Sequence, residues 1–131
     1  MSQENVEMAR RACAAFLARD FDEWVGYHDP EVEFETLISE VEGPYRGHEG
    51  LRQWAAGLLA AFPDWTLSIV EIRALGSRVL IHITTSGEGA GSGAGMREDR
   101  WGVLEFRGGR VIWFAVYRGE AEALEAVGLR E

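Results

Sequence analysis

The sequence contains no lysine, so all thirteen of its basic residues are arginines. Schiff-base catalysis and the phosphate-gripping lysine of nucleotide loops both need an amine that is absent. Cysteine is nearly as scarce: Cys13 stands alone in 131 residues, which excludes an intrachain disulfide and a cysteine metal cluster. No apolar run approaches the roughly 20 residues of a membrane-spanning helix. Residues 1 to 12 carry acids and no apolar stretch, against the pattern of a secretory leader, and the expected location is the cytoplasm. Positive charge is outnumbered, thirteen basic against twenty-two acidic residues for a net charge of −9, a field that disfavours nucleic acid and other polyanions. A local group of arginines can still hold a small anion through forked hydrogen bonds.

What the chain does have is a core. Apolar residues make up 47% and charged residues 27%, enough to bury one domain spanning residues 1–131, with no internal repeat and no linker. Val6, Ala9, Cys13, Phe16 and Leu17 recur at helical steps and predict an amphipathic helix over about residues 4–19, with Glu4 and Glu7 early and Arg10, Arg11 and Arg19 later, as the helix dipole prefers. Asp20 is placed to cap a short second helix, Phe21 to Tyr27, which His28-Asp29-Pro30 stops. Val32, Phe34, Thr36 and Ile38 alternate with polar residues as a strand with one buried face. Glu40 to Gly47 reads as a loop of undetermined direction. Leu51, Trp54, Ala55, Leu58, Leu59 and Phe62 form the stripe of a third, long helix.

Four strands follow in meander order: 65–75, 78–86, 96–107 and 110–118. Gly76-Ser77 and Gly108-Gly109 supply the tight turns. The glycine-rich segment 87–95 reads as a flexible loop. A short helix, Glu120 to Val127, closes the chain with Gly128 as its stop. The fold class is therefore α+β: a curved, mostly antiparallel sheet wrapped around N-terminal helices and a third long helix, with a short C-terminal helix.

Four stretches in this order carry a resemblance: Asp20-Phe21-Asp22-Glu23-Trp24, Tyr45-Arg46-Gly47-His48-Glu49-Gly50-Leu51, Gly109-Arg110-Val111-Ile112, and Glu122 through Leu129. Together they resemble SnoaL-like proteins of the bacterial type, within the nuclear transport factor 2-like and ketosteroid isomerase-like superfamily. The resemblance implies a cone-shaped domain with a small-molecule pocket, polyketide cyclase-like or isomerase-like chemistry, no cofactor, and a homodimer built on the outer sheet face. It also identifies where ketosteroid isomerases keep their catalytic tyrosine and two aspartates. Those positions fall here on Cys13, Thr36 and Gly102. A thiol is a poor oxyanion donor, a threonine hydroxyl is no base near neutral pH, and glycine has no side chain, so steroid-type isomerisation is not expected. Only a one-residue slip that turned Glu35 inward, and Phe34 outward, would change this.

The remaining polar candidates each have a functional and a structural reading. His28 is a candidate general base at the cavity mouth or a turn residue. His48 is a surface residue at the start of the third helix. His82 shares a strand face with Leu80 and Thr84, either pocket or subunit contact. No histidine pair has metal-ligand spacing, so no metal is expected. Hairpin parity sends Arg100, Gly102, Leu104, Phe106, Phe114, Val116 and Arg118 to one face. Arg100, with Tyr45, is the candidate holder of an anionic oxygen and Arg118 lies beside it, though Glu98, Asp99 and Glu120 are near enough to pair with both arginines. The expected ligand pocket comprises Phe16, Phe34, Thr36, Tyr45, Trp54, Leu58, Phe62, Leu104, Phe106, Phe114, Val116 and Arg118. The opposite face carries Trp101, Val103, Trp113, Ala115 and Tyr117, and Trp101, Trp113 and Tyr117 are the expected homodimer contact. Two functions stand side by side. One is a cofactor-independent isomerase, cyclase or lyase for an apolar cyclic or aromatic compound. The other is a non-catalytic ligand-binding or accessory protein of the same fold.

Overall fold

Val6, Ala9, Cys13 and Phe16 lie on the inward stripe of α1 (Ser2–Leu17). The computed structural model describes residues 2–37, 39–88 and 96–130. Ile38 and residues 89–95 of the expected loop lie outside the described residues, as does the side chain of Glu40. Helix α1 ends in a Schellman turn, with Asp20 N–H bonding Ala15 O at 2.9 Å and Arg19 N–H bonding Phe16 O at 3.0 Å. Arg19 takes the left-handed position, φ 62°, usually given to glycine. Its guanidinium donates to Trp65 O at 2.9 Å and Pro63 O at 3.3 Å, fastening the helix end to a distant turn.

Asp20 caps α2 (Phe21–Gly26) as expected, accepting from Glu23 N–H at 3.2 Å. The chain then enters β1 (His28–Glu35). The helix ends before His28 as expected, but His28 to Pro30 are already strand residues, four positions ahead of the expected start at Val32, for a local reason. Val111 N–H bonds Tyr27 O at 3.0 Å and starts the pairing early. Pro30, which has no N–H to give, falls in the irregular stretch between His28 and Glu33. The segment read as a loop contains the short helix α3 (Ser39–Glu42) and strand β2 (Tyr45–Arg46). Strand β2 pairs with β1 through Glu33–Arg46 and Phe34–Tyr45, reinforced by an Arg46–Glu33 ion pair at 2.8 Å.

Helix α4 (Gly47–Ala61) is followed by β3 (Thr66–Leu75), β4 (Arg78–Gly87), β5 (Met96–Arg107) and β6 (Arg110–Tyr117). Gly108 and Gly109 both take positive φ, 61° and 81°, the backbone that the β5–β6 turn needs. The strands form one sheet ordered β2-β1-β6-β5-β4-β3, antiparallel throughout except where β1 and β6 run parallel. One face, with Val32, Phe34, Val79, Ile81, Leu104, Phe106 and Val111, packs on α1, α2 and α4. The other carries Leu80, Val103, Trp113 and Ala115.

That second face is not bare. Helix α5 (Glu120–Arg130) sets Ala123 and Val127 onto it and buries Trp113 to 6% exposure. The expectation that Trp113 is free for a subunit contact is therefore corrected: it belongs to the chain's own second core, and its indole N–H donates to Glu35 Oε2 at 2.5 Å. Glu35 accordingly faces outward and Phe34 inward. Gly128 does not stop α5, which runs on to Arg130, because Gly128 is not one of the glycines with positive φ and continues the helix.

Candidate functional site

The inner face converges on aromatic rings. Phe34 and Phe114 are register partners across β1 and β6, and their rings stack with centroids 4.6 Å apart and planes 8° from parallel. Trp54 from α4 meets Phe34 edge-on at 4.8 Å, and Tyr45 lies 6.4 Å from Phe34 with its ring tilted by 33°. Phe16 from α1 contacts Trp24 at 4.9 Å, Trp65 at 5.3 Å and Trp54 at 5.7 Å. Edge-to-face and offset pairs of this kind each add about 1 kcal/mol beyond their buried area. The hydrophobic residues of the expected pocket, Phe16, Phe34, Tyr45, Trp54, Leu58, Phe62, Leu104, Phe106, Phe114 and Val116, share a single cluster. Trp54, Leu58, Phe62, Phe114 and Val116 are only partly buried and form its open part. Thr36 is half-buried just past β1, and Arg118 is exposed just past β6.

The three positions compared with ketosteroid isomerases are chemically different and physically occupied. Burial pushes the Cys13 thiol up to about 11, against the opposing pull of Arg10, so it is a neutral thiol at physiological pH. A Cβ built on Gly102 would lie 3.0 Å from Phe114 Cε1 and 3.2 Å from Ile81 Cγ2. A ring fills the space where an acid would project.

His28 is not at a mouth. It is 3% exposed beside Trp24, ring centroids 5.4 Å apart, and its Nδ1–H donates to Trp24 O at 2.8 Å. Desolvation lowers its pKa to about 4, only partly countered by that hydrogen bond. His48 Nε2–H donates to His28 O at 2.8 Å, tying the start of α4 to β1. The structure does not bring His28, Arg100 and Tyr45 to one point. His28 pairs with Val111, whereas Trp101, next to Arg100, pairs with Tyr117 at the far end of β6, six residues on and roughly 20 Å along the sheet. His82 lies on the outer face, stacked on Trp101 at 4.3 Å and 12°, with Nε2–H donating to Asp99 Oδ1 at 3.0 Å. The Asp99 carboxyl is held below its ordinary range chiefly by this bond.

Arg100 faces inward opposite Ile83 and is ion-paired with Glu98, while its Nη1 also donates to Asp99 O at 2.8 Å. Two recesses lie at the surface, neither lined by Trp54, Leu58, Phe62, Phe114 or Val116. One of about 370 Å³ lies behind Tyr45 along α4, lined by Glu42, Arg46, Glu49 and Gln53 among others. One of about 400 Å³ lies between Asp64, Thr66, Ser86 and Arg97. Among the described residues no group of three His, Cys, Asp or Glu side chains is placed to hold a metal. No helix among them is long and apolar enough to cross a membrane. What sequence reasoning missed here was Trp24 as the partner that immobilises His28; its i, i+4 spacing from His28 was the available signal.

The fold has close structural counterparts. A nuclear transport factor 2-like protein of unknown function from Burkholderia pseudomallei superposes with a TM-score of 0.81 at 20% identity, over 95% of this chain and 97% of that one. A candidate SnoaL-like polyketide cyclase from Jannaschia sp. gives 0.81 at 18% identity, over 97% and 93%. TerC, crystallised with polyporic acid, gives 0.79 at 19% identity, over 95% and 98%. No curated protein matches the sequence. The model of the SnoaL-like domain family matches residues 9–114, most of the chain, and so the chain belongs to the SnoaL-like domain family.

Proposed function

We propose that this protein binds a small apolar cyclic or aromatic compound in its cone, without cofactor, and that binding rather than proton transfer is its activity. The carrying observation is the aromatic cluster itself: Trp54, Leu58, Phe62, Phe114 and Val116, from α4 and the sheet, pack against the core yet are only partly buried, which leaves apolar surface accessible there. Such surface orients a ring by packing and edge contacts. The enzyme reading that uses His28 as base receives no support, since the ring is buried, hydrogen-bonded to Trp24 and distant from Arg100. The test is a titration with the neutral probe 2-naphthamide, followed by calorimetry. Saturable binding at one site per chain is expected, and Val116→Trp, which fills the open part, should abolish it in a folded protein. Absence of binding to the wild type would overturn the reading.

A second reading, a cofactor-independent isomerase, cyclase or lyase, draws on the family and on the candidate polyketide cyclase among its structural counterparts. Incubation with a bound ligand, followed by mass spectrometry and NMR of the recovered compound, separates the two. Unchanged ligand supports binding alone; a rearranged product supports catalysis.

The proposal includes a homodimer through what α5 leaves uncovered on the outer sheet face, Trp101 and Tyr117, both only partly buried. Light scattering should give twice the 14.6 kDa chain mass; a value near 14.6 kDa removes it. A cytoplasmic location accords with a single cysteine, Cys13, that is free.

A further inference from the structure

His82 stands on the outer sheet face, where the register sets it between Trp101 on β5 and Glu71 on β3. Its ring stacks on the Trp101 indole, 4.3 Å away and 12° from parallel. Its Nε2–H donates to Asp99 Oδ1 at 3.0 Å, and the Thr84 hydroxyl donates to the same oxygen at 3.2 Å. The imidazole is the sheltered member of this pair, 23% exposed against 59% for Asp99. Charged groups face it from every side. Arg97, two residues along β5, acts on the Asp99 charge. Glu71 of β3 pairs with Arg73 at 3.7 Å, and Arg73 in turn pairs with Glu120 of α5 at 2.5 Å. From β6 comes Tyr117, the register partner of Trp101. Three carboxylates, Asp99, Glu71 and Glu120, against two guanidiniums, Arg73 and Arg97, leave this patch at −1 while His82 is neutral and at zero once it is protonated.

We infer that the proton on His82 sets the strength of the homodimer proposed above, which tightens as the pH falls. The inference rests on that homodimer and adds its regulation. A two-fold contact brings the same patch from both copies together. With His82 neutral, each copy carries its −1 into the contact, and like charges drawn together out of water oppose association. Histidine is the side chain whose charge changes between pH 8 and 5. Protonation of His82 in both copies removes the opposing charge and makes each bond to Asp99 charge-assisted. Asp99 stays the anion over that range, because chiefly this same bond, aided by Thr84, holds its carboxyl below the ordinary range. Trp101 links the proton to the contact: the indole on which His82 stacks is part of the surface that the second copy covers.

The test is sedimentation equilibrium on a dilution series at pH 8 and pH 5.5, with circular dichroism confirming that each protein is folded at both. The wild-type dimer should bind about tenfold more tightly at pH 5.5, a gain that salt erodes. His82→Gln keeps a donor toward Asp99 but takes no proton, so its dimer should hold one strength at both pH values. Asp99→Asn removes a negative charge from each copy and should tighten the dimer at pH 8 while shrinking the gain in acid. A wild-type dimer that is equally strong at both pH values, or weaker in acid, overturns the inference and leaves the homodimer standing. A monomer at both pH values removes both. An acid gain that persists in His82→Gln assigns the proton to another group and overturns the role of His82.

Discussion

Phe34 and Phe114 stack face to face across the one parallel strand pair among the described strands, 4.6 Å apart and 8° from coplanar. The stack joins the first strand to the last and sets the floor of the cone. It also explains why position 102 is glycine: the Phe114 ring leans over that backbone, and a side chain there would collide with it.

Gly102→Ala should therefore destabilise the protein by about 1–3 kcal/mol, the usual cost of overpacking a close contact. The added Cβ meets Phe114 Cε1 at 3.0 Å and Ile81 Cγ2 at 3.2 Å. Urea denaturation measures the loss, and near-ultraviolet circular dichroism reads the disturbed stack. Gly102→Asp should cost more and confer no isomerase activity, because its carboxyl has no room to face a ligand.

Stability should fall in mild acid through His28. Its pKa is depressed from 6.5 to about 4 by burial. Above pH 6.5 neither folded nor unfolded chain binds this proton, so the contribution is complete there. Between pH 6.5 and about 4 the unfolded chain takes the proton first, and stability declines by roughly 3 kcal/mol across the window. His28→Asn keeps a donor toward Trp24 O and removes the titration. Comparing denaturation of the two proteins from pH 7.5 to 4 should show a slope in the wild type that the variant lacks.

Arg19 combines a left-handed backbone with a distant clamp, so its two losses can be separated. Arg19→Ala should be the more damaging change, since it keeps the unfavourable φ of 62° and loses the bonds to Pro63 O and Trp65 O. Arg19→Gly loses the same bonds but relieves the backbone. Thermal unfolding should place the glycine variant about 1 kcal/mol above the alanine variant; the reverse order would show that the turn does not constrain this residue.

Helix α5 holds Trp113 away from water through Ala123, which is fully buried. Ala123→Asp should lift the helix by putting an unpaired carboxylate against the indole. Expected readouts are a red-shifted tryptophan emission, binding of a hydrophobic dye and a loss of about 2–4 kcal/mol. An unshifted spectrum would mean that α5 does not shield Trp113.

Much of this arrangement was legible because side-chain parity is a local property. The turn glycines at 108 and 109 fixed which residues of β5 and β6 share a face, and Leu104, Phe114 and Val116 lie inward as that parity requires. Pairing between distant segments leaves no local trace. Nothing near Val32 announces that its strand will lie parallel to one about 80 residues later, and nothing near Trp113 announces that α5 will fold back over it. Site chemistry suffered likewise. His28 followed by Asp29 and Pro30 looks like a turn until Val111 draws Tyr27 into the sheet and Trp24 O captures the imidazole. Arg100 was legible as an inward cation, but its position about 20 Å from His28 follows only from the register.

The parallel β1–β6 pairing also orders events in time. During synthesis α1, α2 and β1 emerge with their apolar faces uncovered, and β1 cannot find its central neighbour until residue 115 has been made. The β3 to β6 meander, joined by tight turns, can assemble from local contacts first. The N-terminal third must then dock onto an almost finished sheet, closing a loop of some 80 residues in the step with the greatest entropic cost. Until that docking, the half-built cone exposes its aromatic floor, and there the nascent chain depends most on being kept from its neighbours.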